Sequence, residues 1–141
     1  MVRKIWNLTA AVLMVLIFSG ALGGCAKKMD RTEKLKDLEF TVVEESEVPE
    51  ELADAVEEKK QQPFQITFAD QGYLYIARGY GAQLTSGYSI SVTELYETTN
   101  AIVIRTELLG PPGDESVEEI STFPYVVVKL EYLDKHVIFD E

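Results

Sequence analysis

Between Phe64 and Phe139 the apolar positions return every second residue, the period of a strand with one face buried. Phe64, Ile66 and Phe68 alternate with Gln65 and Thr67, and Asp70-Gln71-Gly72 supplies a short turn into a second strand, Tyr73 to Tyr80. Tyr88, Ile90 and Val92 alternate with Ser89, Ser91 and Thr93. Glu97 to Asn100 turns into Ala101 to Leu108, where Ile102, Ile104 and Leu108 share one face. A long connection, Leu109 to Thr122, precedes Tyr125 to Tyr132, which sets Val126, Val128, Leu130 and Tyr132 on one face. Leu133-Asp134-Lys135 then turns into a last short strand, His136 to Phe139. Short strands at regular spacing, joined mostly by tight turns, predict an antiparallel sheet. The expected fold class is mainly β, a small antiparallel β-sandwich or curled sheet of six to seven strands, with barrel closure left open. Tyr88, Ile90, Ile104, Val126 and Val128 are expected in its core.

Upstream, Leu38 to Glu45 reads as a first strand. The period then changes to 3.6. Pro49 opens a helix in the first-turn position, where its missing N–H costs nothing. Glu50 and Glu51 sit at the positive end of the helix dipole, Lys59 and Lys60 at the negative end. Leu52, Ala55, Val56 and Lys59 share a face, giving a narrow apolar stripe that covers the core, with the helix expected over an open edge or end of the sheet, and the acidic run around it reads as a solvated face.

The N-terminal segment is different in kind. Arg3 and Lys4 precede an apolar run from Leu8 to Phe18, and small residues lead to Leu22-Gly23-Gly24-Cys25. These are the parts of a secretory signal, and the apolar run falls short of the ~20 residues of a permanent span. Leu22 to Cys25 resembles the lipobox of bacterial lipoproteins, which implies a diacylglyceryl group on the Cys25 thiol and cleavage before it. The expected organisation is a signal peptide over 1–24, a lipidated N-terminus and tether over 25–37, and one β-rich domain over 38–141. The tether Ala26 to Lys36 reaches about 36–40 Å at most. The expected location is extracytoplasmic, lipid-anchored to a bacterial membrane.

Charge narrows the partners. The chain holds 13 basic and 24 acidic residues, and the signal segment contains two of the basic ones and none of the acidic. What remains after cleavage has eleven basic against 24 acidic residues, a net charge of −13. Such a surface repels nucleic acid and anionic headgroups, so the lipid on Cys25 is what holds the chain to the membrane.

The catalytic inventory is thin, and no enzyme is expected. His136 is the single histidine and Cys25 the single cysteine. No His pair, HExxH, cysteine cluster or EF-hand spacing offers a metal site, and Gly79-Tyr80-Gly81 lacks the third glycine of a dinucleotide fingerprint. Neither cofactor nor metal is expected. Two loops are less ordinary. Tyr80-Gly81-Ala82-Gln83-Leu84-Thr85-Ser86-Gly87-Tyr88 joins two strands through glycine corners with tyrosines at its ends. Gly110-Pro111-Pro112-Gly113, followed by Phe123-Pro124-Tyr125, combines rigid turns with aromatics, which lose little entropy when a partner docks.

The stretch from Phe64 to Phe139 resembles the C-terminal domain of the protease complex subunit PrcB family. The matching residues are Gly79-Tyr80-Gly81, Thr85-Ser86-Gly87-Tyr88-Ser89-Ile90, Leu108-Leu109-Gly110-Pro111 and Phe123-Pro124-Tyr125-Val126-Val127-Val128-Lys129. The family usually carries Pro-Thr-Gly-Gly-Tyr in the first loop; here Leu84 replaces the proline and Ser86 a glycine. The resemblance implies a small noncatalytic exported domain that associates with a surface protease and stabilises it. Thr85-Ser86-Gly87-Tyr88 also looks like the Thr-Thr-Gly-Tyr loop of chagasin-type cysteine-protease inhibitors, and Phe123-Pro124-Tyr125 sits where those proteins have an Arg-Pro-aromatic loop. The expected function is therefore a membrane-anchored protein-binding module for an exported protease or its complex, with a chagasin-like protease inhibitor as the alternative. The expected partner-binding residues are Thr85, Ser86, Gly87, Tyr88, Pro111, Pro112, Gly113, Phe123, Pro124 and Tyr125. If the strands entered at Tyr88 and Tyr125 run the same way, these loops share one end of the domain.

Overall fold

A computed structural model describes residues 33–141. The signal segment, Cys25 and the tether up to residue 32 lie outside the described residues. The elements in chain order are β1 (Lys34–Asp37), β2 (Thr41–Val42), a 3-10 turn (Glu45–Glu47), α1 (Glu50–Lys59), β3 (Pro63–Asp70), β4 (Tyr73–Tyr80), β5 (Ser89–Thr98), β6 (Ala101–Leu109), β7 (Tyr125–Glu131) and β8 (His136–Asp140). They form two four-stranded sheets, ordered β1-β5-β6-β8 and β2-β7-β4-β3. Neither sheet closes on itself, so the domain is a β-sandwich and not a barrel. Among the described residues no helix is long and apolar enough to cross a membrane.

Two hydrophobic cores lie on opposite faces of the second sheet. Between the sheets pack Leu74, Ile76, Leu95, Ile102, Ile104, Val126, Val128 and Leu130. The helix α1 covers the outer face of that sheet, not an open edge or end as the sequence suggests, and sets Leu52 and Val56 against Phe64 and against Tyr75, Ala77 and Val127 on the central strands. Central strands β4 and β7 are thus buried on both faces, which is why Tyr73 to Tyr80 and Tyr125 to Leu130 read as nearly continuous apolar runs. Ile104, Val126 and Val128 are buried as expected, whereas Tyr88 and Ile90 are half-buried near the sandwich end.

Three local differences from the sequence reading have physical causes. Leu38 to Glu45 is not one strand. Lys34–Asp37, assigned from sequence to the tether, pairs with β5, while Thr41–Val42 pairs with β7. Between them Leu38 packs on the inter-sheet core and Val43 on the helix-side core, so the chain must switch sheets there. The last strand does not form a hairpin with β7, because both edges of β7 are taken by β2 and β4. It crosses instead to the free edge of β6. The crossover arrives where β6 begins, with His136 opposite Ala101, so the two strands run parallel. Lys135 holds this crossover over the end of β5, donating to Glu97 at 2.6 Å and to the Thr98 carbonyl at 2.8 Å. Finally, Pro49 is the N-cap of α1 and not its first residue; its carbonyl accepts from Ala53 N–H at 2.8 Å.

The β3–β4 turn follows the expected chemistry. Gln71 and Gly72 have φ of 50° and 84°, the double positive φ that two-residue hairpins need to match strand twist.

Candidate functional site

Gly79-Tyr80-Gly81 ends β4 and begins the first loop, and each residue has a separate reason to be there. A Cβ on Gly79 would lie 2.1 Å from the Phe64 ring, so the ring lies directly on the glycine backbone. The Tyr80 hydroxyl reaches across to Thr106 Oγ1 on the facing sheet, at 2.5 Å. Gly81 has φ +77° and turns the chain against Pro63, whose Cδ would be 3.0 Å from an added Cβ. The motif is a corner that aims the following loop.

That loop is clasped to the long β6–β7 connection. Gln83 and Thr122 exchange backbone hydrogen bonds at 2.8 and 3.0 Å. Thr122 Oγ1 donates to the Thr85 carbonyl at 2.7 Å. Ser86 N–H donates to the Glu118 carbonyl at 3.0 Å, and Glu118 N–H donates back to Ser86 Oγ at 2.9 Å. Ser86, standing where the resembled family has a glycine, therefore adds a side-chain link. Gly87 has φ +93°, and a Cβ there would lie 2.7 Å from Pro111 Cβ and 3.3 Å from Val117 Cγ1. The two loops thus share one end of the domain, with Thr85, Ser86, Gly87 and Tyr88 against Pro111 and its neighbours. Pro112 and Gly113 stand exposed beside them.

Four large apolar side chains face solvent at this end. Leu84 is 85% exposed, Ile120 52%, Leu109 41% and Val117 37%. Leu84 was visible in sequence as the residue replacing a proline; Val117 and Ile120 were hidden in a run that reads as charged loop. Around them stand Glu107, Asp114, Glu115, Glu118 and Glu119, and residues 107–125 contain no lysine or arginine. An apolar centre with a charged border is the anatomy of a protein-docking surface.

Phe123, Pro124 and Tyr125 leave this patch toward the helix side. The Lys60 ammonium sits 5.3 Å from the Phe123 ring centroid, and the Pro124 carbonyl accepts from Tyr80 N–H at 3.2 Å. The Tyr125 ring packs 6.3 Å from that of Phe64, in the core under α1. Its phenol is pushed above the usual tyrosine range, first by burial and then by the charges of Glu45 and Glu57. Tyr125 is thus partly a packing residue, and replacing it disturbs the helix-side core as well as the surface.

A further polar group lies behind the loops and escaped sequence reading. Arg78, 7% exposed, is the lone charge in the apolar run of β4. Its guanidinium donates to the Gly79 carbonyl, pairs with the Glu141 carboxylate and stacks 4.2 Å from the Tyr80 ring centroid. A charge is tolerated there because carbonyl, carboxylate and ring together replace water. Arg78→Ala should cost about 2 kcal/mol through lost packing and orphaned acceptors. Glu141→Ala should cost under about 1 kcal/mol, since that carboxylate is largely solvated. Urea unfolding midpoints at unchanged m give both values.

Among the described residues, no group of three or more His, Cys, Asp and Glu side chains could hold a metal ion. His136 stands exposed at the start of β8, at the other end of the sandwich from the loops.

No curated protein and no solved structure matches the chain. Residues 74–131 match the family model for the PrcB C-terminal domain. That span begins in β4, takes in both clasped loops and ends with β7, so the patch and the strands that carry it lie inside the segment that is similar to the PrcB C-terminal family.

Proposed function

We propose that the chain is a lipid-anchored extracytoplasmic lipoprotein whose loop end binds another protein without catalysing a reaction. The protein held is an exported protease or a subunit of its complex. The anchor rests on Leu22 to Cys25 and the apolar run before it. The binding role rests on one observation above all: the Ser86–Glu118 clasp and the Gly87–Pro111 contact fix two loops so that Leu84, Leu109, Val117 and Ile120 stay in water. Holding apolar groups exposed costs the free domain solubility, and a docking partner recovers their burial free energy, about 25 cal/mol per Å². The acidic border selects a partner with cations around an apolar centre. The family name supplies the link to a protease complex.

The test has two arms. Cys25→Ser should abolish fatty-acid labelling and leave precursor uncleaved; a variant that still labels overturns the anchor. Crosslinking on intact cells, then identification of the bound protein, should recover a secreted or surface protein through loop positions. If that partner is a protease, added purified protein should leave its activity equal or higher. A stoichiometric fall in activity would instead make this protein an inhibitor.

A further inference from the structure

The route by which the chain enters the sandwich decides which end of the domain faces the membrane. Strand β1 is antiparallel to β5, with Lys34 opposite Thr98 and Asp37 opposite Tyr96. The chain therefore arrives at the end of β5 farthest from the clasped loops. The same end carries the turns at 71–72, 99–100 and 133–135. The loop patch begins beyond Ser89, at the other end of a ten-residue strand. At about 3.4 Å per residue, β5 alone separates Lys34 from the patch by about 30 Å.

We infer that the anchored protein stands with its loop end away from the bilayer, so that Leu84, Leu109, Val117 and Ile120 meet a protein arriving from the aqueous side. The inference rests on the lipid attachment proposed for Cys25. Nine residue steps separate Cys25 from Lys34, and a fully extended chain of that length spans at most about 30–32 Å. To bring the loop patch against the membrane, this link would have to double back along the full length of the sandwich with no slack. The headgroup layer occupies a further 5–7 Å or so on each side of the hydrocarbon, which removes what margin remains. With the sandwich upright, the same link needs no extension. Nor does the patch suit a bilayer: five carboxylates border it and no cation lies between residues 107 and 125. An anionic lipid surface would repel it, whereas a cation-bordered protein surface would not.

Because the lipid consumes the thiol of Cys25, an added cysteine is the single free thiol of the mature chain. Thr99 lies exposed in the β5–β6 turn, and a Cβ on Gly113 meets nothing within 4 Å. Full-length lipidated Thr99→Cys and Gly113→Cys proteins, each carrying a donor fluorophore, are placed in phosphatidylethanolamine–phosphatidylglycerol vesicles with a headgroup acceptor. Energy transfer should be several-fold greater from position 99 than from position 113. Equal transfer, or greater transfer from 113, in protein that floats with the vesicles overturns the orientation and leaves the anchor standing. Protein that does not float overturns the anchor, and the orientation with it. Asp134→Cys and Glu119→Cys form a second exposed pair for the same measurement should either first variant fail to fold.

Discussion

Gly79→Val should destabilise the domain by about 3 kcal/mol or more, at or beyond the upper end of ordinary overpacking. Even the first carbon of a side chain would lie within 2.1–2.8 Å of three atoms of the Phe64 ring. The ring cannot simply swing clear. It is buried under α1 with Leu52 and Val56, and it touches the Tyr125 ring on its other side. The backbone cannot move either, because Gly79 pairs with Phe64 on one edge and with Tyr125 on the other. A marginally stable domain of this size holds about 5–15 kcal/mol in all, so the loss is a large fraction. The cause can be separated from a mere intolerance of side chains in β4. Phe64→Leu removes the ring edge and by itself costs packing. If the ring enforces the glycine, Gly79→Ala is milder in the Phe64→Leu background than alone, and the double-mutant cycle shows coupling of at least about 1 kcal/mol. Strict additivity in urea unfolding would mean that something other than the ring excludes the Cβ.

The same residues show how much of this domain is legible in its sequence. Half-buried strands declare themselves: Phe64-Gln65-Ile66-Thr67-Phe68 and Ser89-Ile90-Ser91-Val92 alternate because one face meets a core and the other meets water. Strands β4 and β7 were placed by the same reading, but their burial on both faces was not, since nothing local to either strand says which face of the sheet the helix covers. Register and pairing partner were less visible. Nothing local in His136-Val137-Ile138-Phe139 says that β7 is already paired on both edges, so a hairpin was the natural expectation and a parallel crossover was found. Lys34-Leu35-Lys36-Asp37 carries no strand pattern, because every one of its side chains is exposed and neither face of it is buried in a core. The candidate site divides the same way. Its glycines and prolines were legible, because positive φ and close approach restrict residue type. The exposure of Leu109, Val117 and Ile120 was not, because it depends on which loop is clasped to which. Arg78 left a signal that could have been used: a single guanidinium inside a strand of otherwise apolar or small residues must either end the strand or find partners within the fold.

Leu84→Ser combined with Ile120→Ser should weaken capture of the partner about 100-fold while leaving stability unchanged within about 0.5 kcal/mol. Both side chains are more than half exposed and make no core contact, so the free domain loses little when they shorten. In a complex, each would contribute about 1.5 kcal/mol or more of buried apolar surface, and 1.4 kcal/mol is a factor of ten in affinity. Thr85→Arg acts on the same surface by another route. Its hydroxyl donates to the Ser86 carbonyl at 3.0 Å and its carbonyl accepts from Thr122, so a long cation there stands in the seam between the loops. It should lower capture comparably, again without unfolding the strands. Charge reversal at Glu118 and Glu119 separates border from centre. Glu118→Lys with Glu119→Lys should slow association and flatten its salt dependence, with dissociation little changed, as expected of charges that steer and do not anchor. Thr99→Arg, at the opposite end of β5, is the control and should leave capture unchanged. Crosslinked yield on cells and association kinetics with the isolated partner read these effects directly. If the serine pair captures as much partner as the unaltered protein while Thr99→Arg captures less, the docking face lies at the end where the chain enters the sandwich, and the clasp between Ser86 and Glu118 serves only to close the fold.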